Sequence, residues 1–360
     1  MKITFLTYNL DPRNGWGRLA RETTDGLKAR GLDLELLSEI NSDHPYPNEK
    51  NILGRGLKAI SCAPKIRRFI KDADLIHSWE GNPYSITAFL SALGLGKKKI
   101  ITTTGAYSVQ PLYRPFTKLL LTLAYKNADR IVCISQYIKD EIDKVIPGLS
   151  TIVITPGVDY QKFSGDRFEP KERFILGVGN VRRRKGYHIS IPAFGMIASQ
   201  VPDVKYYIAG KLDVSFYTRA QELIEQYNIK DRVVFLGSLD DSALKKLYLS
   251  AELFILTSIN HGHHFEGFGL VFLEAAAAGL PVIGTKGNGI ADAIVENKNG
   301  ILVEQNDIAS TAAAILKILT DTNLRRKFSK ESVQWAKDNS WDNMVNNYLS
   351  VYDQVLNVNP

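Results

Sequence analysis

The run His264–Gly284, HFEGFGLVFLEAAAAGLPVIG, sets Glu266 and Glu274 eight residues apart with Gly267 and Gly269 between them. It follows a short β-rich run, Leu253–Leu256, and leads into a helical pattern that stops at Gly279. Glycines at a helix N-terminus let backbone N–H groups approach a phosphate, and the helix dipole favours the anion. A carboxylate a turn or two into such a helix can hydrogen-bond ribose hydroxyls. The same residues also suit a plain glycine-rich turn before a core helix, with Leu270, Leu273 and Ala275–Ala278 packed on a sheet. A second candidate is GNVRRRKG, Gly179–Gly186, after the β-rich run Arg173–Val178. Its consecutive cations Arg182, Arg183, Arg184 and Lys185 can neutralise a diphosphate leaving group, because fixed donors aimed at developing charge lower a barrier most. Arginine forks grip phosphate oxygens in pairs, whereas lysine acts as a point charge. A solvated basic turn is the simpler alternative.

Weaker signals lie elsewhere. Gly15-Trp16-Gly17 follows the first β-rich run and opens a helix, where its N–H groups could meet a phosphate or a second substrate. It matches G-x-G-x-x-G poorly, since Ala20 stands at the third glycine and no acid ends the second strand in a ribose-binding position. His77 ends the run ADLIH and is a candidate for lining a cleft or for capping a core. His261, His263 and His264 could ligate a metal, but a polar loop closing over a nucleotide fits them better. Asp72 and Asp74 form a D-x-D that reads as structural, so no essential metal and no cofactor are expected.

These residues need a scaffold. β-rich runs alternate with helical patterns: Ile3–Thr7, Leu32–Leu37, Ala73–His77, Lys99–Thr103, Arg130–Ile134 and Thr151–Ile154, then Arg173–Val178, Val204–Ala209, Val233–Leu236, Leu253–Leu256, Pro281–Gly284 and Gly300–Val303. Helical candidates between them include Gly17–Arg30, Leu112–Ala128 and Ala243–Ala251. Such alternation predicts an α/β fold of parallel sheets covered on both faces, and two series predict two doubly wound, Rossmann-like domains. The polar, Pro- and Gly-bearing stretch Thr155–Lys171 reads as the linker, dividing the chain into 1–165 and 172–339. Ser340–Leu356 has the spacing of a helix with one buried face.

The composition of the 360 residues is that of a globular protein, with 44% hydrophobic and 23% charged residues, so disorder and coiled coil are excluded. No apolar run is long enough to span a membrane, and the first residues read as a strand, not a signal peptide. Two cysteines make no disulfide framework, and a cytoplasmic setting follows. The net charge of +7 is uneven: residues 1–165 hold 23 Lys and Arg against 16 Asp and Glu, and the rest balance. A basic half suggests an anionic partner. Asn51–Lys71 interleaves Arg55, Lys58, Lys65, Arg67, Arg68 and Lys71 with apolar residues, and Arg114 and Lys118 lie on an apolar helix. Peripheral contact with the inner face of a membrane and a solvated helix face are equally good readings. No nucleic-acid module fits.

EGFGLVFLE resembles the E-x7-E motif of the retaining glycosyltransferases of family 4, which have the GT-B fold. Asn14–Gly31, Ile134–Ile142, Thr155–Phe163, Gly179–Gly186 and Lys286–Ile294 are similar to further motifs of that family, so the resemblance covers nearly the whole chain. It implies two domains facing a cleft, with the last helix, 340–360, crossing back to the N-terminal, acceptor-binding domain. It implies transfer of a sugar from a nucleotide diphosphate sugar, UDP first and GDP as rival, to a glycan or lipid-linked acceptor, with retention of configuration. It implies that Glu266 meets the donor sugar and that Glu274 meets the ribose. Gly267, Phe268, Gly269 and Leu270 would line the diphosphate, with Lys185 and then Arg184 as its cations and Gly15 and Gly17 contributing to donor binding. The family often carries Arg where Asn180 stands, and a histidine where Thr104 stands, so Thr104 or Tyr107 joins His77 as an acceptor-side candidate. A role in cell-envelope or polysaccharide synthesis follows from the basic half. A sugar-nucleotide epimerase of the same fold and a non-catalytic partner at a membrane surface are the alternatives.

Overall fold

A computed structural model describes residues 1–40, 46–168 and 170–357. The chain forms two compact units: Met1–Pro156 together with Trp341–Pro360, and Gly157–Ser340.

The first unit is built on β1 (Lys2–Thr7), β2 (Asp33–Ser38), β3 (Lys50–Asn51), β4 (Leu75–Trp79), β5 (Lys98–Thr103), β6 (Arg130–Cys133) and β7 (Thr151–Val153). They pair in parallel in the order β3-β2-β1-β4-β5-β6-β7. The order reverses between β1 and β4, and a crevice outside the carboxyl ends of such strands is where open α/β sheets bind ligands. The strands are near-continuous apolar runs because helices cover both faces. The helix Trp341–Asn357 closes this unit. It buries Met344, Val345, Tyr348, Val351, Tyr352 and Val355, the face its spacing predicts. Gly26 of the helix Gly15–Ala29 makes room for it, since a Cβ there would lie 2.5 Å from Val345 Cγ2.

The second unit holds β8 (Arg173–Val178), β9 (Val204–Ala209), β10 (Val233–Gly237), β11 (Leu253–Ile255), β12 (Val282–Thr285) and β13 (Gly300–Val303). Their order is β10-β9-β8-β11-β12-β13, all parallel, and the reversal falls between β8 and β11.

Two expectations change and one strand, β3, is added. The first unit ends at Pro156, not at 165, because the turn of helix Tyr160–Phe163 packs on the second unit, with buried Phe163 edge-on to Tyr248 at 5.9 Å. β3 has two residues, too few to show a period. The predicted helix Leu112–Ala128 divides into a 3₁₀ turn, Gln110–Tyr113, and a helix, Pro115–Lys126, because Pro115 has no N–H to continue the turn and suits a first helical position. The last three residues of the expected final helix, 358–360, lie outside the described residues.

Candidate functional site

The basic loop after β8 and the glycine loop after β11 meet at the strand reversal of the second unit. Glu266 Oε2 accepts from Arg184 Nη1 and from Lys185 Nζ, each at 2.8 Å, and Ser258 Oγ stands 3.4 Å away. Burial acts to raise the Glu266 pKa, but the Lys185 ammonium and Arg184 guanidinium outweigh it and hold it down to about 2. The carboxylate is therefore fully charged at neutral pH and shared by two cations.

Local backbone geometry fixes this arrangement. Gly186 has φ 75°, and a Cβ there would lie 1.7 Å from Thr257 O, so only glycine lets the basic loop press on the end of β11. Thr257 Oγ1 donates to Gly186 O at 2.8 Å, and Ile259 N donates to Arg184 O at 2.9 Å. Gly269, at φ 92°, caps the helix Leu270–Ala277. The following loop locks Glu266 from the other side: Gly289 N donates to Glu266 O at 2.9 Å, and Asn288 Nδ2 donates to Ser258 O at 3.2 Å. Phe268 is buried, and Glu274 on the same helix is buried and accepts from Tyr248 Oη at 3.0 Å.

Beside this pair lies an open cleft lined by Arg182, Arg183, Arg184, Arg219 and His188, with Asp213 as its acid. Burial first, then Arg183 and Arg219, push the His188 imidazole below its usual value, so the arginines carry the positive charge. His261 and His264 line the same cleft and bond to each other through their backbones, closing a turn. Among the described residues no three His, Cys, Asp or Glu side chains gather as metal ligands would.

The candidates of the first unit fare differently. His77 is overturned as an acceptor-side residue. It is wholly buried, its Nδ1 is 2.7 Å from Tyr352 Oη and its Nε2 is 2.8 Å from Thr102 Oγ1, and burial lowers its pKa to about 3. It is a neutral core group joining β4 to the last helix. Gly17 is required, but not for lending its N–H to a ligand. That N–H donates to the Asn14 side chain at 2.8 Å, and a Cβ would lie 2.3 Å from Asp11 O. Gly15 is exposed at the helix start. Thr104 and Tyr107 do come together: with Trp16, Tyr8, Trp79 and Glu80 they line a pocket at the β1–β4 reversal. Trp16 and Tyr107 meet edge to face at 4.9 Å. Glu80 went unremarked in the sequence, where the one cue is an acid followed by glycine directly past a strand.

Residues 160–335 match the family model for the glycosyl transferases group 1, and residues 13–162 match that for glycosyltransferase family 4. The chain is 25% identical to D-inositol 3-phosphate glycosyltransferase of Corynebacterium urealyticum, over 98% of this chain and 95% of that protein. The structure superposes on sucrose-phosphate synthase from Thermosynechococcus elongatus with a TM-score of 0.81 at 21% identity, covering all of both chains. It superposes on Anabaena HepE in complex with UDP-glucose with a TM-score of 0.78 at 17% identity, over 98% and 100% of the two chains. Two parallel-sheet units with these neighbours define a GT-B fold. The chain belongs to the group 1, or family 4, glycosyltransferases.

Proposed function

We propose that the protein transfers a sugar, with retention, from a nucleotide diphosphate sugar to a glycan or lipid-linked acceptor, without an essential metal. The shared grip of Lys185 and Arg184 on Glu266 carries this reading. Both cations sit next to a carboxylate that an incoming diphosphate can replace. As the bond from the anomeric carbon to the diphosphate breaks, Lys185 and Arg184 take up the charge on the departing oxygen. That oxygen accepts the proton of the acceptor hydroxyl, whose oxygen bonds to the anomeric carbon on the face just vacated. Glu266, released from its cations, accepts from the donor-sugar hydroxyls, Glu274 from the ribose, and the Gly267–Leu270 backbone lines the diphosphate. UDP is the favoured base, supported by the UDP-glucose bound to HepE, and GDP is the rival. The acceptor is assigned to the basic first unit, and the product to cell-envelope or polysaccharide synthesis.

Calorimetric titration with UDP, GDP, ADP and uridine, with and without chelator, tests this. Binding of one diphosphate regardless of chelator is expected, and Lys185→Ala should weaken it far more than the binding of uridine. Equal weakening of both would remove Lys185 from the phosphate.

Peripheral membrane contact is a second proposal, with its own observation. The helix Pro115–Lys126 leaves Phe116 66% and Leu119 62% exposed, beside Arg114, Lys118 and Lys126, and has no acid. An apolar stripe with a cationic rim suits an anionic lipid surface. The basic stretch 51–71 is less available: Arg67 Nη1 caps a helix by donating to Ser91 O and Leu93 O, and Arg55 pairs with Glu39 at 2.8 Å. Among the described residues no helix is long and apolar enough to cross a membrane.

A further inference from the structure

The basic loop after β8 carries more cations than the Glu266 cluster uses. Arg184 and Lys185 bond to Glu266, but Arg182 and Arg183 form no ion pair among the described residues. Both line the open cleft, to which Arg219 is contributed by the helix Val214–Gln226. Burial and the neighbouring Arg184 disfavour the charge on Arg182, and Glu266 and Asp213 offset this in part. Arg219 has an exposed pair to Glu222 at 2.8 Å, a contact of small worth. The other walls include Phe216 and Leu223, both buried, and His188, whose ring meets Phe216 edge to face at 5.8 Å. The helix Tyr187–Ile197, which carries His188, packs on Val214–Gln226 and on Ile308–Thr320, whereas the helix that carries Glu274 packs on Tyr160–Phe163 and on Thr322–Asp338. Right-handed crossovers that leave a strand reversal in opposite directions put their helices on opposite faces of the sheet. The arginine cleft therefore opens toward the face away from Glu274. A nucleotide whose ribose meets Glu274, as proposed above, extends away from Arg219.

We propose that Arg182, Arg183 and Arg219 form a second anion site, separate from the one at Lys185 and Arg184, and that it takes a phosphate monoester. The site goes beyond donor binding, since it holds a phosphate while a nucleotide diphosphate is also bound. Asp213 is the acid of the cleft and leaves its cations in excess, and a cleft lined mainly by one sign of charge concentrates counter-ions. Guanidinium forks grip phosphate oxygens in pairs, and a phosphate offers oxygens to several forks at once, whereas one or two forks fill a carboxylate. Phe216 and Leu223 give the organic part of the ester an apolar surface to lie on. Two sources share this chemistry: a phosphate carried by the acceptor, and a free phosphorylated molecule that alters the rate of transfer.

The test is calorimetric titration of the full chain with phenyl phosphate and with inorganic phosphate, each with and without saturating UDP, at about 0.15 M salt to screen non-specific attraction. Phenyl phosphate should bind once per chain, more tightly than inorganic phosphate, and UDP should not displace it. Arg219→Ala, at an exposed side chain, should weaken phenyl phosphate about tenfold or more and leave UDP binding unchanged. Lys185→Ala should do the opposite. Arg183→Ala should repeat the loss of phenyl phosphate from the loop side of the cleft. Displacement of phenyl phosphate by UDP, unchanged affinity in both arginine variants, or no saturable binding overturns the proposal. Release of UDP from UDP-glucose tells the two sources apart. Stimulation by glucose 6-phosphate but not by glucose identifies an acceptor phosphate, and a rate altered by inorganic phosphate alone identifies a free effector. If UDP binds and phenyl phosphate does not, this inference falls alone; if phenyl phosphate binds through the arginines and UDP does not bind, the donor reading falls and the second site stands.

Discussion

Replacing Glu266 by Gln keeps the shape of the side chain and removes the charge that Lys185 and Arg184 share. The size of the effect follows from the pKa. Lowering it from 4.5 to about 2 corresponds to roughly 3 kcal/mol of net stabilisation of the carboxylate, its cations having outweighed the cost of burial, at ~1.4 kcal/mol per unit. That agrees with the ~3–5 kcal/mol typically lost when one partner of a buried ion pair is removed. For a unit of this size, ~1 kcal/mol moves the melting temperature by about 2–4 °C, so Glu266→Gln should melt roughly 6–12 °C lower without ligand. An anion should reverse the loss. On the proposed reading the diphosphate has to displace Glu266 from the cations in the wild type, whereas in the variant they stand ready. At one fixed UDP concentration, the upward shift in melting temperature should therefore be larger in Glu266→Gln. Transfer from the UDP-sugar should nevertheless fall about 10²–10³-fold, the usual consequence of losing a fixed charge-stabilising contact. Thermal melts with and without UDP, with initial transfer rates alongside, measure all three. A variant that melts with the wild type, or whose UDP shift is no larger, would refute the competition between Glu266 and the diphosphate.

The same ion cluster gives a pH dependence. The Glu266 pKa is depressed on folding, so its stabilising contribution is complete above about 4.5 and is lost as pH falls toward about 2. The melting-temperature gap between wild type and Glu266→Gln should be flat from neutral pH down to that range and close below it; a gap that widens in acid contradicts the assignment. Gly289→Ala would set a Cβ 1.9 Å from Gly267 O, backbone against backbone. It should cost ~1–3 kcal/mol, as overpacking does, and should reduce transfer by displacing Glu266. Wild-type kinetics in that variant would show that the two loops are not coupled. Changing both Phe116 and Leu119 to Ser should lower co-sedimentation with phosphatidylglycerol-rich vesicles by at least about tenfold, since each buried side chain contributes ~1.5–3 kcal/mol. Unchanged co-sedimentation removes that helix from any lipid surface.

The meeting of Glu266 with its cations was legible in the sequence because the residues involved are local. Arg184 and Lys185 are adjacent, Glu266 sits in its own glycine loop, and each loop directly follows a strand that the apolar pattern reveals. Their meeting needed only the rule that ligands gather at the carboxyl ends of parallel strands. His77 misled because the strand continues two residues beyond it and its partner Tyr352 lies 275 residues away, where no local pattern reaches. Glu80 stayed hidden for a related reason. Its carboxylate takes donors from Thr104 and Ser108, which belong to the next loop. The domain boundary slipped because Phe163 looks like any other linker aromatic until Tyr248 is seen against it.

The last helix also bears on how the chain comes to be folded during synthesis. The first unit is made of two stretches, Met1–Pro156 and Trp341 onward, with all of Gly157–Ser340 translated between them. Until Tyr348 and Tyr352 emerge, His77 and Thr102 have no partner hydroxyls from that helix, and its place on the unit stays uncovered. At ~5–20 residues per second, the wait is roughly 10–40 s. The second unit is contiguous and has no such delay. The half translated first is thus the half completed last, and the surface that the last helix covers stays open to solvent for that interval.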